Sequence, residues 1–278
     1  MNDLRSLQMV CLDILKEIDR VCKKYDILYW MEGGSMLGAV RHHGFIPWDD
    51  DLDIAMFRDD YNRFLEIAPK ELNENYFLQT HQTDPEYPLF FAKVRKNNTV
   101  IDERSYQELN IHKGIFVDIF PVDKMPLQMP KIKRFCFSLR TLYLFYITLE
   151  RKVNTKTTDR FFILFKIIRF FLFPVSLCKE HFRRKFEKKL QKYNKMKNEI
   201  YVGSLTVVQF MKWIYKKEWF KQFKSFRFED IDVLIPSGYH ELLTNVYGDY
   251  MTPPPKEKQV PGHGVSFLID VRGDQNEQ

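Results

Sequence analysis

Paired cysteines are missing from this 278-residue chain: Cys11, Cys22, Cys136 and Cys178 lie far apart, with no Cys-x-x-Cys and no His at a metal-binding spacing. That argues against a disulfide framework and against a zinc site, and reduced thiols fit the cytoplasm. A signal-peptide apolar stretch is also missing, because the start reads MNDLRSLQ and carries charges through Arg20. No internal repeat or low-complexity tract is present. The apolar block FFILFKIIRFFLFPVSLC at 161–178 is too short, and too interrupted by Lys166, Arg169 and Pro174, to read as a spanning helix. What is present suits a globular enzyme: 45% hydrophobic residues supply a core, and the length suits one large domain or a catalytic domain with a helical part appended.

The chemistry concentrates in residues 28–57, LYWMEGGSMLGAVRHHGFIPWDDDLDIAMF. Asp49, Asp50 and Asp51 are consecutive and Asp53 follows Leu52, so Asp51 and Asp53 point the same way if Leu52 to Phe57 is a strand. Adjacent carboxylates repel one another, and a divalent cation relieves that repulsion. Hard oxygen ligands select Mg2+ or Mn2+ over zinc. The Gly33-Gly34-Ser35 turn lets backbone N–H groups approach an anion, and Ser35 then opens a short helix whose N-terminus favours negative charge. Turn and carboxylates together describe a nucleotide phosphate site. The competing reading is a solvated acidic loop. Trp48 and the run Leu52 to Phe57 weigh against it, since they bracket the acids with core material.

These residues resemble the signature of the LicD family of phosphotransferases. The resemblance rests on Gly33-Gly34-Ser35-Met36-Leu37-Gly38-Ala39-Val40-Arg41 and on Gly44 to Asp53. Gly114-Ile115-Phe116-Val117-Asp118-Ile119-Phe120-Pro121 and Tyr247 to Pro255 match two further family blocks. It implies an α/β (α+β) fold, a nucleotidyltransferase-like mixed sheet flanked by helices, carrying an inserted helical, aromatic and basic region. Residues 1–124 would form the catalytic core, 125–200 the helical insertion, and 201–278 the part that completes the catalytic domain.

Local patterns fill in that outline. Leu4, Leu7, Cys11, Ile14, Ile18 and Val21 predict an amphipathic helix over 3–24 capped by Asn2 or Asp3. Strands are expected at Leu28–Met31, 75–80, 89–96, 99–103 and 114–120. Asp59 or Asp60 should cap a helix that Pro69 ends, and Ser237 should cap another over 236–247. Residues 213–235 read as strands and turns that close the sheet or the pocket. A carboxylate inside the apolar run at Asp118 is costly unless paired or metal-bound, which makes it the best third carboxylate. Asp123 ranks lower because it lies past Pro121.

The expected activity is metal-dependent transfer of a phospho-alcohol group to a hydroxyl of a cell-surface glycan precursor such as lipopolysaccharide, teichoic acid or capsule. The resemblance implies CDP-choline as donor. Asp51 and Asp53 would hold Mg2+ (or Mn2+), with Asp49 or Asp50 as an additional ligand. Asp118 would complete the metal site or accept the proton of the attacking hydroxyl. Gly33, Gly34 and Ser35 would hold phosphate oxygens, and Arg41 would either grip a phosphate or pair with the aspartates. Glu32 either braces the turn or is exposed, and no role follows for His42, His43 or His263. The rivals are other CDP-alcohols (CDP-ribitol, CDP-glycerol), nucleotidyl transfer, and a degenerate binding module that has lost its chemistry.

The aromatic block at 161–178 and the basic run Lys179 to Lys197 suggest either a helical cap on the catalytic domain or a peripheral contact with the inner face of the membrane, where a lipid-linked acceptor would sit. A net charge of +6 raises nucleic acid as a partner; it is set aside because the aromatics form one apolar block and are not interleaved with the basic residues.

Overall fold

The computed structural model describes residues 4–103, 106–149, 179–206, 210–262 and 267–269. Helix α1 (Leu4–Lys24) buries Leu7, Cys11, Ile14, Ile18 and Val21 of the expected stripe, leaves Leu4 half-buried, and adds Leu12 and Leu15. Each such aliphatic side chain contributes about 1.5–3 kcal/mol on full burial. Its proposed caps, Asn2 and Asp3, lie outside the described residues. The stripe packs on β4 (Ala92–Lys96) and β6 (Phe116–Lys124), two central strands of a mixed sheet.

That sheet runs in the order β1 (Trp30–Met31), β2 (Asp53–Phe57), β6, β4, β3 (Tyr76–Gln79). β2 and β6 are parallel, and the other pairings along this path are antiparallel. Helices α2 (Gly33–His42) and α3 (Arg58–Glu71) flank β2. The fold is therefore the expected mixed sheet flanked by helices. A short strand β5 (Thr99–Ile101) pairs with β11 (Phe267–Ile269).

β6 differs from its sequence reading in a way that matters. It does not stop at Phe120 but continues through Pro121 to Lys124. Its antiparallel pairing with β4 ends at Ile119, and pairing with β7 (Tyr201–Gly203) starts at Asp123. Pro121 falls in the gap between those neighbours, where a missing N–H is most easily tolerated. Asp123, ranked low from sequence, is fully buried and takes a two-pronged ion pair from Arg58, Nε to Oδ1 at 2.8 Å and Nη2 to Oδ2 at 2.6 Å.

Other boundaries move for local reasons. The first strand shrinks to Trp30–Met31, β4 begins at Ala92, and β5 ends at Ile101. α3 begins at Arg58, with Asp59 and Asp60 in its first turn, and Pro69 lies inside its last turn. The helix outlasts that proline because later bonds still form, such as Leu72 N–H to the Ala68 carbonyl at 2.9 Å. Ser237 is not a cap. α6 (Tyr239–Tyr247) has Gly238 at that position, where a Cβ would come within 2.5 Å of the Trp219 Cβ, so close approach of the backbone decides the residue.

Between Lys124 and β7 the described residues hold two α-helices, α4 (Met129–Leu149) and α5 (Lys179–Leu190). The two helices form a second core around Phe90, Ile132, Leu139, Tyr146 and Phe186. The aromatic block 161–178 lies outside the described residues. Asn194 ties the insertion to the sheet, accepting from Lys124 N–H at 2.8 Å and donating to Asp123 Oδ1 at 2.6 Å. Beyond β7, β8 (Ile214–Lys216) extends the sheet, whereas β9 (Phe223–Phe228) and β10 (Ile231–Pro236) form a separate hairpin beside β1 and α2. Among the described residues no helix is long and apolar enough to cross a membrane.

Candidate active site

Three segments meet at one end of the central strands: the glycine turn that opens α2, the acidic loop before β2, and the start of β6 at Asp118. β2 and β6 pair in register with Asp53 opposite Asp118. Neighbours in register on adjacent strands share a face, so both carboxylates stand on the same side of the sheet. Ser35, 4% exposed, accepts the Asp53 N–H on its Oγ at 2.8 Å and so fixes the start of β2 beneath α2.

The acidic loop is anchored from below. Gln8 in α1 is buried and donates its amide to the carbonyls of Ile46 (3.2 Å) and Asp49 (2.9 Å). Asp49, Asp50 and Asp51 each bring one carboxylate oxygen within 4.8 Å of the others. Asp51 lies in this loop and not on β2, which begins at Asp53. The tightest oxygen cluster is therefore the consecutive triplet, with Asp53 and Asp118 beside it.

The glycines are explained by these carboxylates. Gly33 has φ +55°, and a Cβ there would lie 3.5 Å from Asp53 Oδ2 and 3.3 Å from the Trp213 ring. A Cβ on Gly34 would lie 3.0 Å from Asp49 Oδ2. The helix begins at Gly33, so its first turn, rich in unpaired N–H groups, lies against the acids.

Below the turn, Glu32 is buried and accepts from Trp30 Nε1 at 2.8 Å and from Tyr215 Oη at 2.7 Å. Its burial pushes the carboxyl up to about 7 in spite of those bonds. Glu32 thus braces the turn, the first of the two alternatives. Arg41, in the last turn of α2, donates Nη1 to the Tyr250 carbonyl at 2.6 Å and Nε to His42 Nε2 at 3.0 Å. His42 meets the Trp48 ring edge-on at 6.2 Å, and His43 takes a left-handed conformation that ends α2. His263 lies outside the described residues.

Like charges dominate the electrostatics. Burial, followed by Asp51, Asp118 and Asp49, holds Asp53 well above the usual carboxylate range. Burial lifts Asp118 to about 6 against the pull of Lys93. α6 packs on α2, and the phenol of Tyr247 in its last turn is raised by burial and then by Asp53 and Asp49.

Sequence reasoning missed the cation at this site. Lys93 on β4 is the register partner of Asp118, and its Nζ lies 3.0 Å from Asp118 Oδ1. The same Nζ lies 3.3 Å from Glu103 Oε1, and Arg95 Nη2 donates to Glu103 Oε2 at 2.7 Å. Although burial opposes ionisation, Lys93 and Arg95 bring Glu103 down to about 2. The available signal was the alternation in Ala92-Lys93-Val94-Arg95, which puts both cations on one face of a buried strand.

The donor set fits a hard divalent cation. It consists of carboxylate oxygens gathered within 4.8 Å of one another, and it is self-repelling, since Asp51, Asp118 and Asp49 add to burial in holding Asp53 well above its ordinary range. Asp49, Asp50 and Asp51 bring their oxygens close enough to meet at one such ion, with Asp53 and Asp118 beside them.

Residues 26–141 match a family model described as LicD/FKTN/FKRP, nucleotidyltransferase domain. The chain is 33% identical over 263 residues to the lipopolysaccharide cholinephosphotransferase LicD of Haemophilus influenzae, covering 94% of this chain and 96% of that protein. An uncharacterized protein of Rickettsia typhi is 46% identical over 57 residues, 20% of this chain and 18% of its own. The human ribitol 5-phosphate transferase FKRP is 44% identical over 54 residues, 18% of this chain and 11% of its own. With the glycine turn, the acidic loop and the β6 aspartate assembled on one mixed sheet, and a relative matched along nearly its whole length, the chain belongs to the LicD family of phosphotransferases.

Proposed function

We propose that this phosphotransferase moves phosphocholine from CDP-choline to a hydroxyl of a glycan, with a divalent cation bound at the acidic loop. The observation that carries the reading is the register of Asp53 and Asp118 beside the Asp49–Asp51 loop at the N-terminus of α2. Mg2+ or Mn2+, when bound, would neutralise charge on the donor diphosphate and on the departing CMP.

The protein's own groups do the rest. The first turn of α2, bare of side chains at Gly33 and Gly34, brings its backbone close to Asp49 and Asp53, so a donor phosphate drawn to a cation at those carboxylates would lie by its N–H groups. Asp118 accepts the proton of the attacking hydroxyl as the new O–P bond forms. The bond from phosphorus to the bridging oxygen then breaks, and CMP leaves with that electron pair. A value of about 6 suits a base working near neutral pH. Trp213 lies beside Gly33, and Tyr247 lies near enough to Asp53 and Asp49 for their charges to raise its phenol, so aromatic rings stand by the site, as recognition of a quaternary ammonium requires, which favours choline over a polyol. The near full-length match to a cholinephosphotransferase, against a match to the ribitol 5-phosphate transferase limited to 18% of this chain, supports the same choice.

The acceptor reading is a glycan on a lipid carrier at the inner membrane face. On α4, Phe137 is 73% exposed, and exposed Leu144 shares the outer face with Lys133, Arg134 and Arg140. On α5, Arg184, Lys185 and Lys188 are exposed. Basic and apolar groups side by side suit an anionic lipid surface.

The test is a donor panel of CDP-choline, CDP-ribitol and CDP-glycerol with a purified glycan acceptor, scored by released CMP and repeated in EDTA. CMP release specific to CDP-choline and lost in EDTA is the expected result. Preference for CDP-ribitol would replace the donor, and release of pyrophosphate from CTP would replace the reaction.

A further inference from the structure

Asp118 is compensated from inside the protein before any ion arrives. Lys93 is 2% exposed, and its ammonium is held on three sides: Asp118 Oδ1 at 3.0 Å, Glu103 Oε1 at 3.3 Å and the face of the Phe116 ring at 3.2 Å from its centroid. Arg95, fully buried, closes the group through Glu103 and through the carbonyl of Gly114 at 2.6 Å. Two cations therefore balance Glu103 and Asp118 in a closed set carried by β4, β6 and the segment after β5. A buried lysine held on three sides is a fixed charge that cannot swing away, since its paired heads and its ring contact all lie on the same small volume.

The Asp49–Asp51 loop is different in kind. Its clustered ligand atoms are all carboxylate oxygens and lie within 4.8 Å of one another. Sites that clamp both the attacking and the leaving oxygen with two metal ions place the ions roughly 3.5–4 Å apart, bridged by shared carboxylates. Here the volume next to Asp118 Oδ1 already holds a positive charge, and a divalent ion there would face an ammonium at contact distance.

We propose that the Lys93 ammonium takes the place of a second metal ion against Asp118, so that the site binds a single divalent cation on the side of the acidic loop. The inference rests on the metal-dependent reading above. Lys93 is a positioning residue in this account: it fixes the Asp118 carboxylate and supplies a permanent charge that in a two-metal site would come from solution. Asp118 remains the base, while the loop carboxylates hold the ion.

Mn2+ alone is the probe. The purified full chain is titrated with Mn2+ and the bound ion counted by electron paramagnetic resonance and by calorimetry, with no donor present. Wild type should bind one ion per chain. Asp118→Asn should still bind one, with no more than a few-fold loss of affinity. Lys93→Met should bind two, and the spectrum should show coupling between neighbouring ions. Two ions in the wild type would overturn the inference while leaving metal-dependent transfer intact. So would a folded Lys93→Met protein that still binds one, or loss of the ion in Asp118→Asn. If Lys93→Met fails to fold, the wild-type and Asp118→Asn counts decide alone. No ion in the wild type, together with CMP release that survives EDTA, would remove the metal reading itself.

Discussion

Asp53 and Asp118 are register partners on parallel neighbouring strands, so two carboxylates of one site are separated at the backbone by a single interstrand spacing, about 4.8 Å. Their sequence separation hides this. The fold brings them together only because β6 inserts between β2 and β4.

Asp51→Asn and Asp53→Asn are expected to lower CMP release at least about 1,000-fold with the fold intact, since each removes a charge that would hold the cation. Asp53→Asn should also raise the melting temperature in EDTA. A carboxyl held well above its ordinary range binds its proton more tightly folded than unfolded, so it costs stability once the pH passes that range. Each 1 kcal/mol recovered is worth about 2–4 °C in a protein of this size class. Turnover at the wild-type level by either variant would defeat the assignment.

Asp118→Asn should reduce kcat about 100-fold or more and change CDP-choline affinity only a few-fold, because a base acts mainly in the transition state. In the wild type, kcat should rise with pH through about 6 as the carboxyl loses its proton, and this acid limb should vanish in the variant. Collapse of donor affinity with kcat unchanged would make Asp118 a ligand instead.

Glu32 makes stability fall with pH. Its folded value of about 7 exceeds the ordinary 4.5, so the folded state holds the proton across that window and loses its advantage as the pH rises through it. The total is on the order of 3 kcal/mol. Glu32→Gln keeps an acceptor for Trp30 and donates to the Tyr215 oxygen, and it should flatten the slope. Urea denaturation at pH 5 and pH 8 checks this; equal slopes in both proteins would refute it.

Arg58→Met should destabilise by about 3–5 kcal/mol, because Asp123 would be left charged in the core with only Asn194 as partner. The double variant Arg58→Met/Asp123→Leu should recover much of that loss. Urea midpoints measure both.

The membrane contact proposed above predicts that recruitment fails when the exposed cations of α5 are reversed. Lys189 is a poor choice for that experiment because it donates to Ser138 of α4 and helps pack the two helices. Arg184→Glu, Lys185→Glu and Lys188→Glu together should abolish co-sedimentation with anionic vesicles at low salt, at about 1 kcal/mol for each charge. Binding indifferent to lipid charge would leave α5 a solvated face.

Local signals were the readable ones. The stripe of α1, the glycine turn and the acid run each declare themselves within a few residues, as does an aspartate inside an apolar strand. Lys93 and Asp123 were not legible, since their meaning comes from partners distant in sequence, Asp118 on the neighbouring strand for one and Arg58 at the start of α3 for the other. Pro121 misled because a proline usually ends a strand, and only the gap between β4 and β7 permits it. Glu32 was ambiguous until Tyr215, far along the chain, supplied its second hydrogen bond.

The clasp at Asn194 has a consequence for how such enzymes diversify. Lys124 and the returning strand Tyr201–Gly203 are hydrogen-bonded neighbours, so the insertion departs from and rejoins the sheet at one point. For the sheet, everything between is a loop already closed, and doubling its length costs only about 0.6 kcal/mol in closure entropy. Helices can be lengthened, shortened or exchanged there while Asp53 and Asp118 keep their register. On the proposed reading that this segment meets the acceptor, its contact surface is separable from the donor chemistry on the sheet.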